Sequence, residues 1–162
     1  MIEAASILKK HPKVKFLLVG EGEDKENLIK QTRRAKITNI SFINGQPTEQ
    51  IIELINVADI GLISLSTNKF FSDNALPTKT SEYLGCGKPI VACAGKNLKE
   101  LIETNQVGIV AAPGDSKNLA KAILELYQNR RKLKKFSENA RHLAIKRFSD
   151  ENFYRVLEKN LP

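Results

Sequence analysis

Five short apolar runs, each parted from the next by a stretch with helical spacing, constrain this chain more than any other feature. They lie at residues 14–19 (VKFLLV), Ile40–Ile43, 59–65 (DIGLISL), 89–94 (PIVACA) and 107–110 (VGIV). Such runs are apolar without alternation, so a strand built from one has both faces to bury. The intervening stretches, near residues 25–35, 47–57, 78–85 and 98–104, carry helical patterning, as does 2–10 ahead of the first run. Parallel strands need crossover connections of this kind, and the alternation therefore points to a parallel sheet with helices on both sides. After the fifth run only helices are expected. One spans Ser116–Gln128 with Asp115 as its cap, and a second carries Leu133, Phe136, Ala140, Leu143 and Ala144 on one stripe. A last one covers about residues 150–159. The expected fold is a single α/β domain, a Rossmann-like doubly wound parallel sheet with extra C-terminal helices.

The length, 162 residues, suits one domain with a real core, and no internal repeat or linker divides it. No apolar run approaches the roughly 20 residues that span a bilayer. The N-terminal MIEAASILKKHPKVK lacks the basic start and unbroken apolar core of a signal peptide, so a cytoplasmic location is expected. Two cysteines, Cys86 and Cys93, are too few for a disulfide framework or a zinc site, and buried, reduced thiols are expected. His11 and His142 stand alone, without a nucleophile or metal-ligand spacing around them. No metal site is expected.

The net charge of +8 is concentrated late in the chain. Arg130, Arg131, Lys132, Lys134, Lys135, Arg141, Lys146 and Arg147 face a single acid, Glu138, in residues 128–147. Two readings fit this basic helix equally: a solvated face, or a surface for anionic lipid. Aromatic residues are sparse there, which argues against a base-stacking nucleic-acid platform.

In a doubly wound sheet, ligands sit outside the carboxyl ends of the strands. The loops at that edge are Gly20-Glu21-Gly22, Asn44-Gly45-Gln46, residues 66–76 and Ala94-Gly95-Lys96. Gly20 and Gly22 let backbone approach a phosphate or sugar closely, although a plain strand-to-helix turn explains them as well. No third glycine completes a dinucleotide fingerprint, so nicotinamide cofactors are not expected. Residues 72–94 (SDNALPTKTSEYLGCGKPIVACA) combine loop, helix start at Thr78, glycine turn and apolar strand. Glu82 falls early in that helix, three residues after Lys79. It could favour the helix dipole, or accept hydrogen bonds from two neighbouring ribose hydroxyls; its position alone leaves both open.

The run Pro77-Thr78-Lys79-Thr80-Ser81-Glu82-Tyr83-Leu84-Gly85-Cys86-Gly87-Lys88-Pro89-Ile90-Val91-Ala92 resembles the signature of retaining GT-B glycosyltransferases of family 4, the glycosyl transferases group 1. That signature has two acids parted by seven residues, then small residues, Gly-x-Pro and an apolar strand. Phe16 to Gly22, Ser41 to Gly45 and Ala58-Asp59-Ile60 resemble further conserved pieces of the family in the same order. The resemblance implies that Glu82 is the second acid and binds the nucleotide ribose. The first acid falls eight residues earlier, at Asn74, with Asp73 adjacent as a substitute for contact with donor-sugar hydroxyls. Ala75-Leu76-Pro77 replaces the family's Gly-Phe-Gly. Asn44, Gly45 and Gln46 match the loop near the nucleobase; Thr78 and Lys79 are donor-binding candidates at the helix start, Lys79 either contacting the diphosphate or standing as a solvated lysine.

By this resemblance the chain is the donor-binding domain of an enzyme that moves a sugar from a UDP- or GDP-sugar to a glycan or lipid-linked acceptor with retention. The hexosyltransferase type and a role in polysaccharide biosynthesis are implied, without a metal cofactor. In the family a strand, a basic pair on the diphosphate and an N-terminal acceptor domain precede the point matching Met1. This stretch alone is accordingly expected to be inactive, its partners being the donor, the N-terminal domain and an anionic membrane surface under the basic helix. The alternatives are a non-catalytic Rossmann-like nucleotide-binding or interaction module, and half of a sugar-nucleotide epimerase. The latter needs a cleft histidine that neither His11 nor His142 is placed to provide.

Overall fold

The computed structural model describes residues 1–148, and the helix expected at 150–159 lies outside them. The order is α1 (Ile2–Leu8), β1 (Phe16–Val19), α2 (Lys25–Arg34), β2 (Ile40–Ile43), α3 (Thr48–Val57), β3 (Gly61–Ser64), α4 (Lys69–Asn74), α5 (Lys79–Gly85), β4 (Ile90–Cys93), α6 (Lys96–Thr104), β5 (Gly108–Ala111), α7 (Ser116–Gln128) and α8 (Arg130–Phe148). All strand pairs are parallel, as the continuous apolar runs require.

The central strand is β4, and all four of its residues are buried. Its alternating side chains enter two separate cores. Val91 and Cys93 join Ala4, Ala5 and Leu8 of α1 with Leu119, Ala120, Ile123 and Leu126 of α7. Ile90 and Ala92 join Leu84 of α5, Leu98, Leu101 and Ile102 of α6, and Ala140 and Leu143 of α8. Each large aliphatic side chain so buried contributes about 1.5–3 kcal/mol. Helices on both faces of a parallel sheet make this a doubly wound Rossmann-like domain.

Four features depart from the sequence expectation. The strands form a two-stranded sheet, β1-β2, and a three-stranded sheet, β3-β4-β5, rather than one continuous sheet. β1 and β3 are not hydrogen-bonded to each other, although Phe16 and Leu18 of β1 pack in the same cluster as Leu62 of β3. Amide hydrogen bonds from Phe16 and Gly20 run toward β2, and those from Gly61 and Leu65 toward β4. The amides of Leu17 and Val19, and of Leu62 and Ser64, alternate with these and therefore point to the opposite edges.

The stretch 66–76, read as a loop, contains the short helix α4. Its N-cap is Asn68, whose Oδ1 accepts the Phe71 N–H at 3.2 Å, while the Asn68 N–H donates to Ser66 Oγ at 3.1 Å. A side-chain cap supplies what a six-residue segment without an amphipathic face lacks. The same logic holds at α7, where Asp115 caps as expected and accepts the Asn118 N–H at 2.9 Å. α6 begins at Lys96, two residues before the expected start. Of the two thiols, Cys93 is buried as expected, but Cys86 is half-exposed at the C-terminus of α5.

Candidate functional site

The carboxyl ends of β1, β2, β3 and β4 deliver the loops read as the candidate site, and the structure ties them together in two groups. In the first, Gly20 N–H donates to Ile43 O at 3.1 Å, which joins the loop after β1 to the end of β2. Glu21 Oε1 accepts the Gly45 N–H at 3.1 Å and the Lys25 ammonium at 3.0 Å. Lys25 Nζ also donates to Asn44 Oδ1 at 2.7 Å. Gly20 has a φ of 137°, a conformation that side-chain-bearing residues rarely adopt, and the space above Gly20 and Gly22 is open. The sequence marks the Glu21–Lys25 pair only through its i, i+4 spacing. The hydrogen bond from Lys25, and then that from the Gly45 amide, hold the Glu21 carboxyl below its ordinary range.

The second group centres on α4. Asp73 Oδ1 accepts the N–H of Lys96, the first residue of α6, at 3.0 Å. The two segments touch at Gly95: a Cβ there would lie 2.2 Å from Asp73 Oδ1 and 2.7 Å from both Asp73 N and Ser72 C. Glycine at 95 is what permits this contact. Asp73 is thus engaged at the N-terminus of α6, and Asn74 is exposed, its Nδ2 donating to Phe70 O at 2.7 Å. The Asn74 Oδ1 takes no partner among the described residues. Phe70 and Phe71 stand 82% and 59% exposed on the same short helix.

Glu82 lies in the first turn of α5, exposed, with no ion pair or side-chain hydrogen bond among the described residues. Thr78 is the N-cap but makes no side-chain cap bond. Glu82 is therefore the fourth residue of the helix, outside capping-box spacing, and its carboxylate is open to a ligand. Lys79 and Thr78 are exposed beside it. Behind Glu82, the Tyr83 ring lies against Gly61 and its hydroxyl donates to Leu62 O at 3.4 Å. Burial, followed by the neighbouring Glu82 charge, raises the Tyr83 pKa, so its hydroxyl stays protonated.

The far end of α5 is held by α8. Ser137 Oγ donates to Gly87 O and Arg141 Nη1 to Gly85 O. A groove of about 590 Å³ lies beside this turn and is lined in part by Ile52, Asn56, Cys86 and Arg141. It sits at the amino edge of the sheet, opposite the edge where such folds bind ligands.

The basic helix proves largely engaged. Arg130 pairs with Asp59 at 2.9 Å, Lys132 with Glu125 and Lys134 with Glu138. Arg141 reaches the α5–β4 turn, and Arg147 lies over the Phe148 ring. Arg131, Lys135 and Lys146 make no ion pair among the described residues, in which no cluster of metal-binding side chains occurs either. No helix among them is long and apolar enough to cross a membrane. His11 is half-buried and His142 exposed, and neither lies in a loop of the candidate site.

Comparison with known proteins agrees with this architecture. The chain is 28% identical over 141 residues to an uncharacterized glycosyltransferase of Methanocaldococcus jannaschii, covering 87% of this chain and 33% of the relative. It is 28% identical over 129 residues to the amylovoran biosynthesis glycosyltransferase of Erwinia amylovora, covering 78% and 32%. The chain thus spans about a third of the length of these curated relatives. Among solved structures, Anabaena HepE in complex with UDP-glucose superposes with a TM-score of 0.76 at 26% identity, over 98% of this chain and 44% of that one. Staphylococcus aureus TarM in complex with UDP superposes with a TM-score of 0.79 at 23% identity, over 98% and 31%, and supports the GT-B fold. The profile for glycosyl transferases group 1 matches residues 1–143, nearly all of the described structure, and the chain belongs to that family.

Proposed function

We propose that this chain is the donor-binding part of a retaining GT-B glycosyltransferase, of hexosyltransferase type, that acts in polysaccharide biosynthesis. The observation that carries the reading is the exposed carboxylate of Glu82 in the first turn of α5, which makes no ion pair or side-chain hydrogen bond among the described residues. In this reading Glu82 accepts hydrogen bonds from the ribose hydroxyls. Gly20 and Gly22 leave room for the phosphates, and Asn44 to Gln46 meet the base. Asn74 faces the sugar through its open Oδ1, while Asp73, committed to Lys96, positions α4. UDP and UDP-glucose in the solved relatives support a nucleotide-sugar donor.

Sugar transfer from such a donor passes through an oxocarbenium-like state in which charge builds on the departing diphosphate. Lys79 and Thr78 lie at the helix start where they could meet that charge, without a metal ion. The remaining cations and the acceptor site belong, on this proposal, to a further domain, so this chain alone does not turn over a donor. Arg131, Lys135 and Lys146 are the cations left for an anionic membrane surface in the cytoplasm. Saturation-transfer NMR with UDP and with GDP tests the site: ribose protons should receive magnetisation from the wild type and lose it with Glu82→Ala. Equal transfer to both proteins would refute the ribose assignment, and hydrolysis or transfer of a nucleotide sugar by this chain alone would refute the division of labour.

A further inference from the structure

Helix α5 has seven residues, and a helix so short is marginal without outside support. Its N-cap, Thr78, makes no side-chain cap bond, so the anchors of α5 lie elsewhere. They gather one turn behind Glu82. The Glu82 main-chain carbonyl accepts the Cys86 N–H at 3.0 Å. Beyond Cys86 the helix closes with Gly87 at a φ of 64°: the Gly87 N–H donates to Leu84 O at 2.9 Å and the Lys88 N–H to Tyr83 O at 2.8 Å. This closure leaves the Gly85 carbonyl over, because the residue four positions on is Pro89, which has no N–H. Arg141 Nη1 of α8 donates to that carbonyl, and Ser137 Oγ donates to Gly87 O on the other side of Cys86. A cation at a helix C-terminus also complements the helix dipole.

We propose that Arg141 and Ser137 are positioning residues for the donor: from the amino edge of the sheet, α8 sets where α5 carries Glu82, although neither residue touches the ligand. The chain of contacts is short. Glu82 is tied to Cys86, and the carbonyls on both sides of Cys86 are tied to α8. Four residues of helix span only about 6 Å, so a displacement of the held end moves Glu82 with it. Hydrogen bonds from hydroxyls form only over about 2.5–3.0 Å, which makes the Glu82 carboxylate sensitive to such a shift. A Cβ on Gly87 would lie 3.6 Å from Ser137 O and 3.7 Å from Arg141 Cβ, so α8 rests directly on the turn. Arg141 is exposed and Ser137 half-buried, whereas Leu84 keeps α5 in its core independently of both. The inference rests on the reading of Glu82 as the ribose acceptor and adds to it the residues that hold that carboxylate in place.

A double-mutant cycle read by NMR titration of the whole chain tests it, with whichever of UDP and GDP binds the wild type more tightly. One arm of the cycle is Arg141→Met with Ser137→Ala, the other is Glu82→Ala. Removing the α8 contacts should weaken binding roughly fivefold or more while Glu82 is present, the scale of coupling within one hydrogen-bonded network. In the Glu82→Ala protein the same change should alter affinity by less than about twofold, because the group being positioned is gone. Arg141→Lys, which keeps a cation able to reach Gly85 O, should recover most of the affinity that Arg141→Met loses. A merely structural role would weaken binding by the same factor with and without the Glu82 carboxylate. Should the paired variant fail to fold, as judged by circular dichroism, Arg141→Met alone carries the cycle. Equal losses in both backgrounds, or no loss while Glu82 is present, would overturn the positioning role and leave the ribose reading standing. An affinity unchanged by Glu82→Ala, or no binding of either nucleotide to the wild type, would overturn both.

Discussion

The contact between α4 and the start of α6 makes a demanding prediction. Gly95→Ala places a methyl group 2.2 Å from Asp73 Oδ1 and 2.7 Å from two atoms of the α4 backbone. The carboxylate can rotate away, but the backbone can move only if α4 shifts as a unit. Forced overpacking of this kind costs about 1–3 kcal/mol. Losing the Asp73 bond to the Lys96 N–H removes about a further 0.5–2 kcal/mol, by analogy with helix capping. A total of about 1.5–5 kcal/mol corresponds to a fall in Tm of about 3–20 °C for a domain of this size. Differential scanning calorimetry would read it directly. Asp73→Ala alone should cost about 1 kcal/mol. In the double variant the two losses should be less than additive, because one methyl-to-carboxylate clash is already gone. Full additivity, or a Gly95→Ala protein within a degree of wild type, would refute the close approach and the positioning role of Asp73.

Three further outcomes follow from local chemistry. The Asn118 main-chain N–H, then its side-chain amide, hold the Asp115 carboxyl below its usual range. With a depressed folded pKa, its stabilisation is complete above the unfolded value near ~3.9 and is lost as pH falls through the folded value. The Tm gap between wild type and Asp115→Ala should accordingly be constant from neutral pH to about 5 and close at lower pH. Burial pushes the Cys93 thiol pKa up while Cys86 is half-exposed, so a thiol reagent should modify one cysteine in the native protein and two in denaturant. Liposome sedimentation should show weak binding to anionic vesicles, abolished by high salt and by replacing Arg131, Lys135 and Lys146 with glutamine; binding that survives those changes would discard the basic helix as its source.

The layering was legible because it depends on unbroken apolar runs: Ile90 to Cys93 reads as a strand buried on both faces and is one. Asp115 was legible too, since an acid after Pro113-Gly114 is a strong local stop-and-start signal. Helix α4 was not, because Phe70 and Phe71 point to solvent and give no amphipathic pattern, and its stability comes from the Asn68 cap and from packing on α6. The split between β1-β2 and β3-β4-β5 was hidden for a different reason: strand periodicity identifies strands without stating their neighbours. The sequence singles out Glu82 as a candidate, and its place as the fourth residue of α5 needed the helix boundary at Thr78. The engagement of Asp73 with Lys96 and the Glu21–Lys25–Asn44 clip join residues 23 and 19 positions apart, beyond any local pattern.

The central claim is that Glu82 holds the ribose of a nucleotide donor, and isothermal titration of UDP and GDP against wild type and Glu82→Ala tests it most directly. A hydrogen bond to a charged acceptor contributes about 1.5–3 kcal/mol. Its loss should therefore weaken binding by roughly 10- to 150-fold, with the fold unchanged by circular dichroism. Equal dissociation constants for the two proteins, or no binding of either nucleotide to the wild type at millimolar concentration, would contradict it.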